Sequence, residues 1–228
     1  TINSIQSALA LDPDNIDFLN EYGILLDKRE RDREAAEIFE QVFKQNNSHL
    51  YAGIWLSNYS LKNNEYDGAL DVLTQLFRSD SLNGYIARNI GLCWYKKGDY
   101  KNSKTWFSKS IQLDSTDIKA YKYLFSTYAG KEEFELAFRT INKAIRVEPQ
   151  NKFLFIMKGD LYVIRNHHFQ AIREYHNALV IDPKDEDIAR KLGLSYYKTN
   201  KYDKAKKYLL LADKGPLNLE VYKHLGYI

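Results

Sequence analysis

At 228 residues and 26.7 kDa, the chain is long enough for one or two ordinary domains or for one elongated repeat array. Its 44% apolar content with 18 Tyr and 11 Phe excludes a disordered chain, and 11 Gly with 4 Pro are too few for the tight turns of an all-β sandwich or barrel. A formal net charge of +3 falls short of a dedicated nucleic-acid binder, and the single cysteine, Cys93, excludes both an intrachain disulfide and a Cys-based zinc site.

Self-similarity organises the whole chain. Gly23, Gly91, Gly159, Gly193 and Gly226 lie 68, 68, 34 and 33 residues apart, and Ala35, Ala69, Ala137, Ala171 and Ala205 recur at 34 or twice 34. Pro13, Pro149 and Pro183 share one phase of the same period. In chain order the period predicts a partial unit over 1–15, the second-helix half of an upstream repeat, then units at 16–49, 50–83, 84–117, 118–151, 152–185 and a shorter 186–218. Residues 219–228, with Leu225-Gly226, read as the first helix of a further unit, so the whole of 1–228 is expected to be one array.

Each unit carries two helical stretches. Positions 4, 7, 8 and 11 lie on one face of the first, as in Ala87, Ile90, Gly91 and Trp94. Positions 20, 24 and 27 lie on one face of the second, as in Ala171, Tyr175 and Ala178. Small residues at 8 and 20 let the helices approach closely, with aromatic rings filling the space beside them. Gly98-Asp99-Tyr100, Asn64-Glu65-Tyr66 and Asn200-Lys201-Tyr202 mark the turn between the two helices.

These residues resemble the tetratricopeptide repeat family, whose 34-residue unit has a small residue at 8, an aromatic at 11, Ala at 20, a large apolar residue at 24, Ala at 27 and Pro at 32. The unit at 152–185 matches best, with Gly159, Tyr162, Ala171, Tyr175, Ala178 and Pro183. Departures include Ser57 and Phe125 at the first small position, Ser103 for Ala, Lys158 at a position usually Leu, and Asp32 at the turn aromatic. The resemblance implies an all-α, right-handed α-solenoid of antiparallel helix pairs. The related pentatricopeptide RNA binders use a 35-residue unit, which does not fit.

The function implied by the resemblance is non-catalytic: a protein-interaction scaffold that takes a peptide or helix of a protein partner in a concave groove lined by first-helix positions 2, 5, 9 and 12. Candidate partner-binding residues are Tyr51, Asn58, Tyr85, Arg88, Asn89, Tyr95, Lys119, Lys122 and Tyr123. Ile54, Phe153, Asp160, Arg190 and Tyr197 fall on the same positions. The family's carboxylate-clamp pattern is matched at Asn58, Asn89 and Lys119, while Ile54 and Tyr123 stand where it needs cations, so a clamp is not the expectation. Alternatives are a self-assembling structural segment that forms homo-oligomers through exposed terminal repeats, or a docking or sensory arm of a longer protein.

No catalytic, cofactor or metal site is expected. His167, His168 and His176 have no Cys or Glu at ligand spacing, and Cys93 beside Trp94 reads as an inert core thiol. No glycine-rich phosphate loop is present. No apolar run approaches the ~18 residues of a membrane span. Charge is uneven: residues 1–117 hold 13 Lys+Arg against 17 Asp+Glu, and 118–228 hold 20 against 13. The basic half includes the Lys201, Lys204, Lys206 and Lys207 face, which reads as solvated surface. The first residue is Thr1, so a signal or anchor upstream and the compartment are both left open.

Overall fold

A computed structural model describes residues 2–212 together with Gly226. The expectation for 219–228 lies, apart from Gly226, outside the described residues. Thirteen helices and no strand occur among the described residues. They are α1 (Ile2–Leu11), α2 (Ile16–Asp27), α3 (Asp32–Gln45), α4 (Leu50–Lys62), α5 (Tyr66–Ser79), α6 (Gly84–Lys96), α7 (Tyr100–Leu113), α8 (Ile118–Gly130), α9 (Phe134–Val147), α10 (Lys152–Ile164), α11 (His168–Ile181), α12 (Glu186–Lys198) and α13 (Tyr202–Leu211). The chain divides after Ala120, inside α8, into two compact units, Thr1–Ala120 and Tyr121–Ile228. The architecture is the α-solenoid class: antiparallel helix pairs, each packed on the next in sequence within its unit.

Helix starts repeat with the sequence. The residue before each first helix is polar and caps it: Asn15 accepts from Phe18 N–H, Asn83 from Ile86 N–H, Asp117 from Ala120 N–H, Asn151 from Phe153 N–H and Asp185 from Ile188 N–H. His49 does the same through Nδ1, 3.3 Å from Ala52 N. All six stand at unit position 34, where the period of the chain places a start signal that the repeat's small and aromatic positions do not reveal.

Helix ends repeat too. Glu30, Asn64, Gly98, Glu132, Asn166 and Asn200, spaced at 34, all take a positive φ between 59° and 79°. This left-handed residue lets the next N–H reach back five residues, as Asp99 N–H does to Trp94 C=O at 3.0 Å and His167 N–H to Tyr162 C=O at 2.8 Å. The bond satisfies an orphan carbonyl and reverses the chain into the second helix.

Packing explains the glycine ladder. A β-carbon on Gly23 would lie 2.7 Å from the Phe39 ring, on Gly91 2.8 Å from Phe107, on Gly159 2.5 Å from Tyr175 and on Gly193 2.8 Å from Leu209. The large residue at position 24 therefore fills the hole left at position 8 of the same hairpin, and Ala35, Ala69, Ala137, Ala171 and Ala205 are fully buried opposite. Ser57 occupies position 8 of its unit by turning its hydroxyl back to Ile54 C=O at 2.8 Å, while Gly53, one turn earlier, makes room for Leu76 and Phe43.

The first unit shares one core that runs from Ile2 through Phe39, Phe43, Leu73 and Leu76 to Ile90 and Cys93, with Trp55, Trp94 and Trp106 at its margin. Burial pushes the Cys93 thiol up to about 12, so it is protonated and inert at neutral pH. In the second unit a core centred on Ala171, Tyr175, Leu192 and Tyr196 joins α11, α12 and α13.

Candidate protein-interaction surface

In the first unit, Tyr51 on α4 and Tyr85 on α6 stand 34 residues apart, and both rings are left in solvent, at 46% and 42% exposure. Tyr51 leans on Phe39 of the preceding hairpin with ring centroids 5.8 Å apart. Asn58, two turns along α4 from Tyr51, is exposed. Lys119 at the start of α8 is exposed as well.

Arg88 does two jobs. Its guanidinium lies 4.7 Å from the centre of the Tyr85 ring, and its Nη1 donates to Asp117 Oδ2 at 2.6 Å. That pair is nearly dry, with side chains 13% and 7% exposed. Asp117 meanwhile uses Oδ1 to cap α8, and Ser110 Oγ donates to Gly84 C=O at 2.9 Å. Arg88 is thus a strut between α6 and the turn leading into α8, and it also flattens one face of Tyr85. Neighbouring Asn89 is buried, and its Nδ2 lacks a hydrogen-bond partner. Tyr95 is half-buried and edge-on to Tyr100 at 5.7 Å.

The second unit offers a parallel arrangement. Phe153 on α10 is 55% exposed, with Lys122 Nζ 5.8 Å and Lys152 Nζ 5.3 Å from its ring centre. Lys152 spans Asp182 at 2.7 Å and Asp185 at 2.6 Å, tying α10 to the turn before α12. Hydrogen bonds to Asp182 and then Asp185 raise its ammonium above the usual lysine value. A hollow of about 640 Å³ opens beside Phe153 and Pro149. Tyr123 is half-buried on α8.

The structure therefore brings Tyr85 onto Arg88 in one unit and Lys122 onto Phe153 in the other. Asp117, Lys152 and the two aspartates that hold it were not foreseen as determinants of this surface. The position-34 caps were the available signal for Asp117 and Asp185.

Stacked hairpins with a shared small-to-large contact and solvent-facing rings on successive first helices define a helical-repeat binding scaffold, a generally non-catalytic class that binds protein partners. The chain belongs to the tetratricopeptide repeat family. A profile described as Tetratricopeptide repeat matches residues 56–118, and one described as TPR repeat matches 159–205. The chain is 26% identical to the TPR repeat-containing protein MJ1428 of Methanocaldococcus jannaschii, over 75% of its own length and 33% of that protein's. It is 25% identical to the BBSome complex member BBS4 homolog of Drosophila melanogaster, covering 69% of this chain and 33% of that one. It spans about a third of the length of these two relatives.

Among solved structures, a tetratricopeptide repeat protein from Parabacteroides merdae superposes with a TM-score of 0.66 at 14% identity, over 99% of this chain and 90% of that one. YrrB, described as a TPR protein with an unusual peptide-binding site, gives 0.65 at 16% identity, over 82% and 96%. MamA gives 0.64 at 21%, over 80% and 96%. These likenesses are of fold. Among the described residues no helix is long and apolar enough to cross a membrane.

Proposed function

We propose that the chain binds an extended peptide or a helix of a protein partner along the first helices of its repeats, with the 34-residue units at 16–49, 50–83, 84–117, 118–151 and 152–185 and the shorter 186–218 as its steps. The observation that carries this reading is the recurrence of a solvent-facing ring at unit position 2: Tyr51, Tyr85 and Phe153. Rings supply contact area at low entropic cost, and the cations at their faces, Arg88 and Lys122, keep them oriented before a partner arrives. That a structural neighbour is described as having a peptide-binding site supports the same mode. Asn58, Tyr95 and Lys119 complete the proposed surface of the first unit, where Arg88 and Asn89 act from beneath it, and Tyr123 joins Phe153 in the second.

The test is selection of random twelve-residue peptides displayed on phage, run against the native chain and against Tyr51→Ala/Tyr85→Ala/Phe153→Ala. Peptides that enrich on the native chain should bind the triple variant at least tenfold more weakly while its far-UV circular dichroism is unchanged. Equal affinity would move the site off these helices. The greater length of the relatives favours, as a second element of the proposal, that this binding serves a larger protein as its docking arm.

A further inference from the structure

We infer that a pocket of the second unit, framed by α10, α11 and α12, receives the side chain of an Asp or Glu from within a bound peptide. This inference rests on the peptide-binding reading and adds to it the chemistry of the partner. The pocket encloses about 380 Å³, near the lower end of the roughly 300–1,000 Å³ of ligand pockets and ample for one acidic side chain. Asp160, His168, Tyr175, Arg190, Lys191 and Lys198 supply its polar wall.

The charges do not balance within it. Asp160 is already engaged: its Oδ1 accepts from Lys191 Nζ at 2.9 Å and from Tyr175 Oη at 2.6 Å. Arg190 is held by Asp187 one turn before it on α12. Lys198 is exposed and has no acidic partner among the described residues. With Asp187, which lies outside the lining, counted against Arg190, three cations face two carboxylates, and Lys198 is the one left unmatched.

His168 stands in the same wall. Its Nδ1 is buried and has no hydrogen-bond partner, one of four such side-chain atoms among the described residues. Burial, and then the charge of Lys198, lower its affinity for a proton, so the ring is neutral and lines the pocket without adding charge. An arriving carboxylate offers its oxygens to Lys198 and Arg190, so the unmatched charge is satisfied within the pocket. No Asn or Gln lines the pocket to bond the last peptide group of a chain end, which makes an internal acidic residue the fitting source.

The peptide selection is repeated on the full native chain and on Arg190→Gln/Lys198→Gln, with peptides fused through their C-termini so that none ends in a free carboxylate. Native enrichment should carry Asp or Glu at a fixed place, and the variant's should not. A synthetic, end-blocked peptide so selected should lose at least tenfold in affinity for the native chain on Glu→Gln, and less than twofold for the variant, the two proteins having the same urea midpoint. Enrichment without an acidic residue, a preference for Lys, or the same Glu→Gln loss on both proteins overturns the pocket and leaves the peptide-binding reading standing. A Gln peptide that regains affinity when its C-terminus is freed overturns the side-chain source. Failure of the native chain to enrich any peptide overturns both readings.

Discussion

Gly159 of α10 and Tyr175 of α11 are fitted so closely that a β-carbon on the first would lie 2.5 Å from the ring of the second. Tyr175 cannot retreat easily, because it is almost fully buried and its hydroxyl donates to Asp160 at 2.6 Å. Burial and that hydrogen bond both push its phenol above the usual tyrosine range, which keeps the donor protonated. Gly159→Ala should therefore cost about 1–3 kcal/mol in urea denaturation, and Gly159→Ala with Tyr175→Leu should cost less than the two changes summed. Additive losses would mean that the two sites do not share one space.

Glu132 supports the opposite change. It takes a φ of 60°, as its glycine counterpart Gly98 does at 79°, but carries a side chain that disfavours that region. Glu132→Gly should stabilise the chain by roughly 0.5–1 kcal/mol, and Gly98→Ala should destabilise it by a similar amount. Thermal unfolding of the two variants side by side checks the sign at each turn.

Arg88 and Asp117 should behave as a unit. Removing either partner leaves a nearly dry charge, and Asp117→Ala also removes the cap on Ala120 N–H, so each single change should cost about 3 kcal/mol or somewhat more. Arg88→Met with Asp117→Asn should recover part of that loss, because the Asn retains a capping oxygen and no charge is left stranded. A double-mutant cycle with no coupling would show the pair to be solvated.

Stability should fall on acidification through the two buried-side histidines. His176 Nε2 lies 2.7 Å from Tyr196 Oη and its ring sits edge-on to Tyr208; burial, then Lys204, lower its proton affinity, as burial and then Lys198 do for His168. Both are neutral in the folded chain and titrate below their unfolded value of about 6.5. The unfolded chain therefore binds more protons as pH falls below that value, and the contribution present above it is lost through the folded-state values. Urea midpoints at pH 7.5 and 5.0 should differ less for His168→Gln/His176→Gln than for the native chain.

Much of this was legible because a 34-residue period repeats the same local problem. Gly91 and Phe107, or Gly193 and Leu209, occupy corresponding places because each hairpin buries the same face, so spacing alone announces the helices, the turns and the small-to-large packing. The turn at Asn64, Gly98 and Asn200 was readable for a similar reason, since these residue types tolerate a positive φ; Glu30 and Glu132 adopt it against their chemistry because the neighbouring helices dictate the reversal.

Periodicity predicts which positions would line a groove, but not which of their side chains are available to a partner. Arg88 and Asn89 share a helix with Tyr85, yet Asp117, 29 residues beyond Arg88, claims the guanidinium and burial claims the amide, while the tyrosine ring is left in solvent. Likewise, nothing in the order of residues places His168 in one pocket with Arg190 and Lys198. Local sequence decides backbone conformation because turns and helices close over a few residues. Charge pairing and solvent exposure are decided by partners some thirty residues away, and only the folded stack brings those partners together.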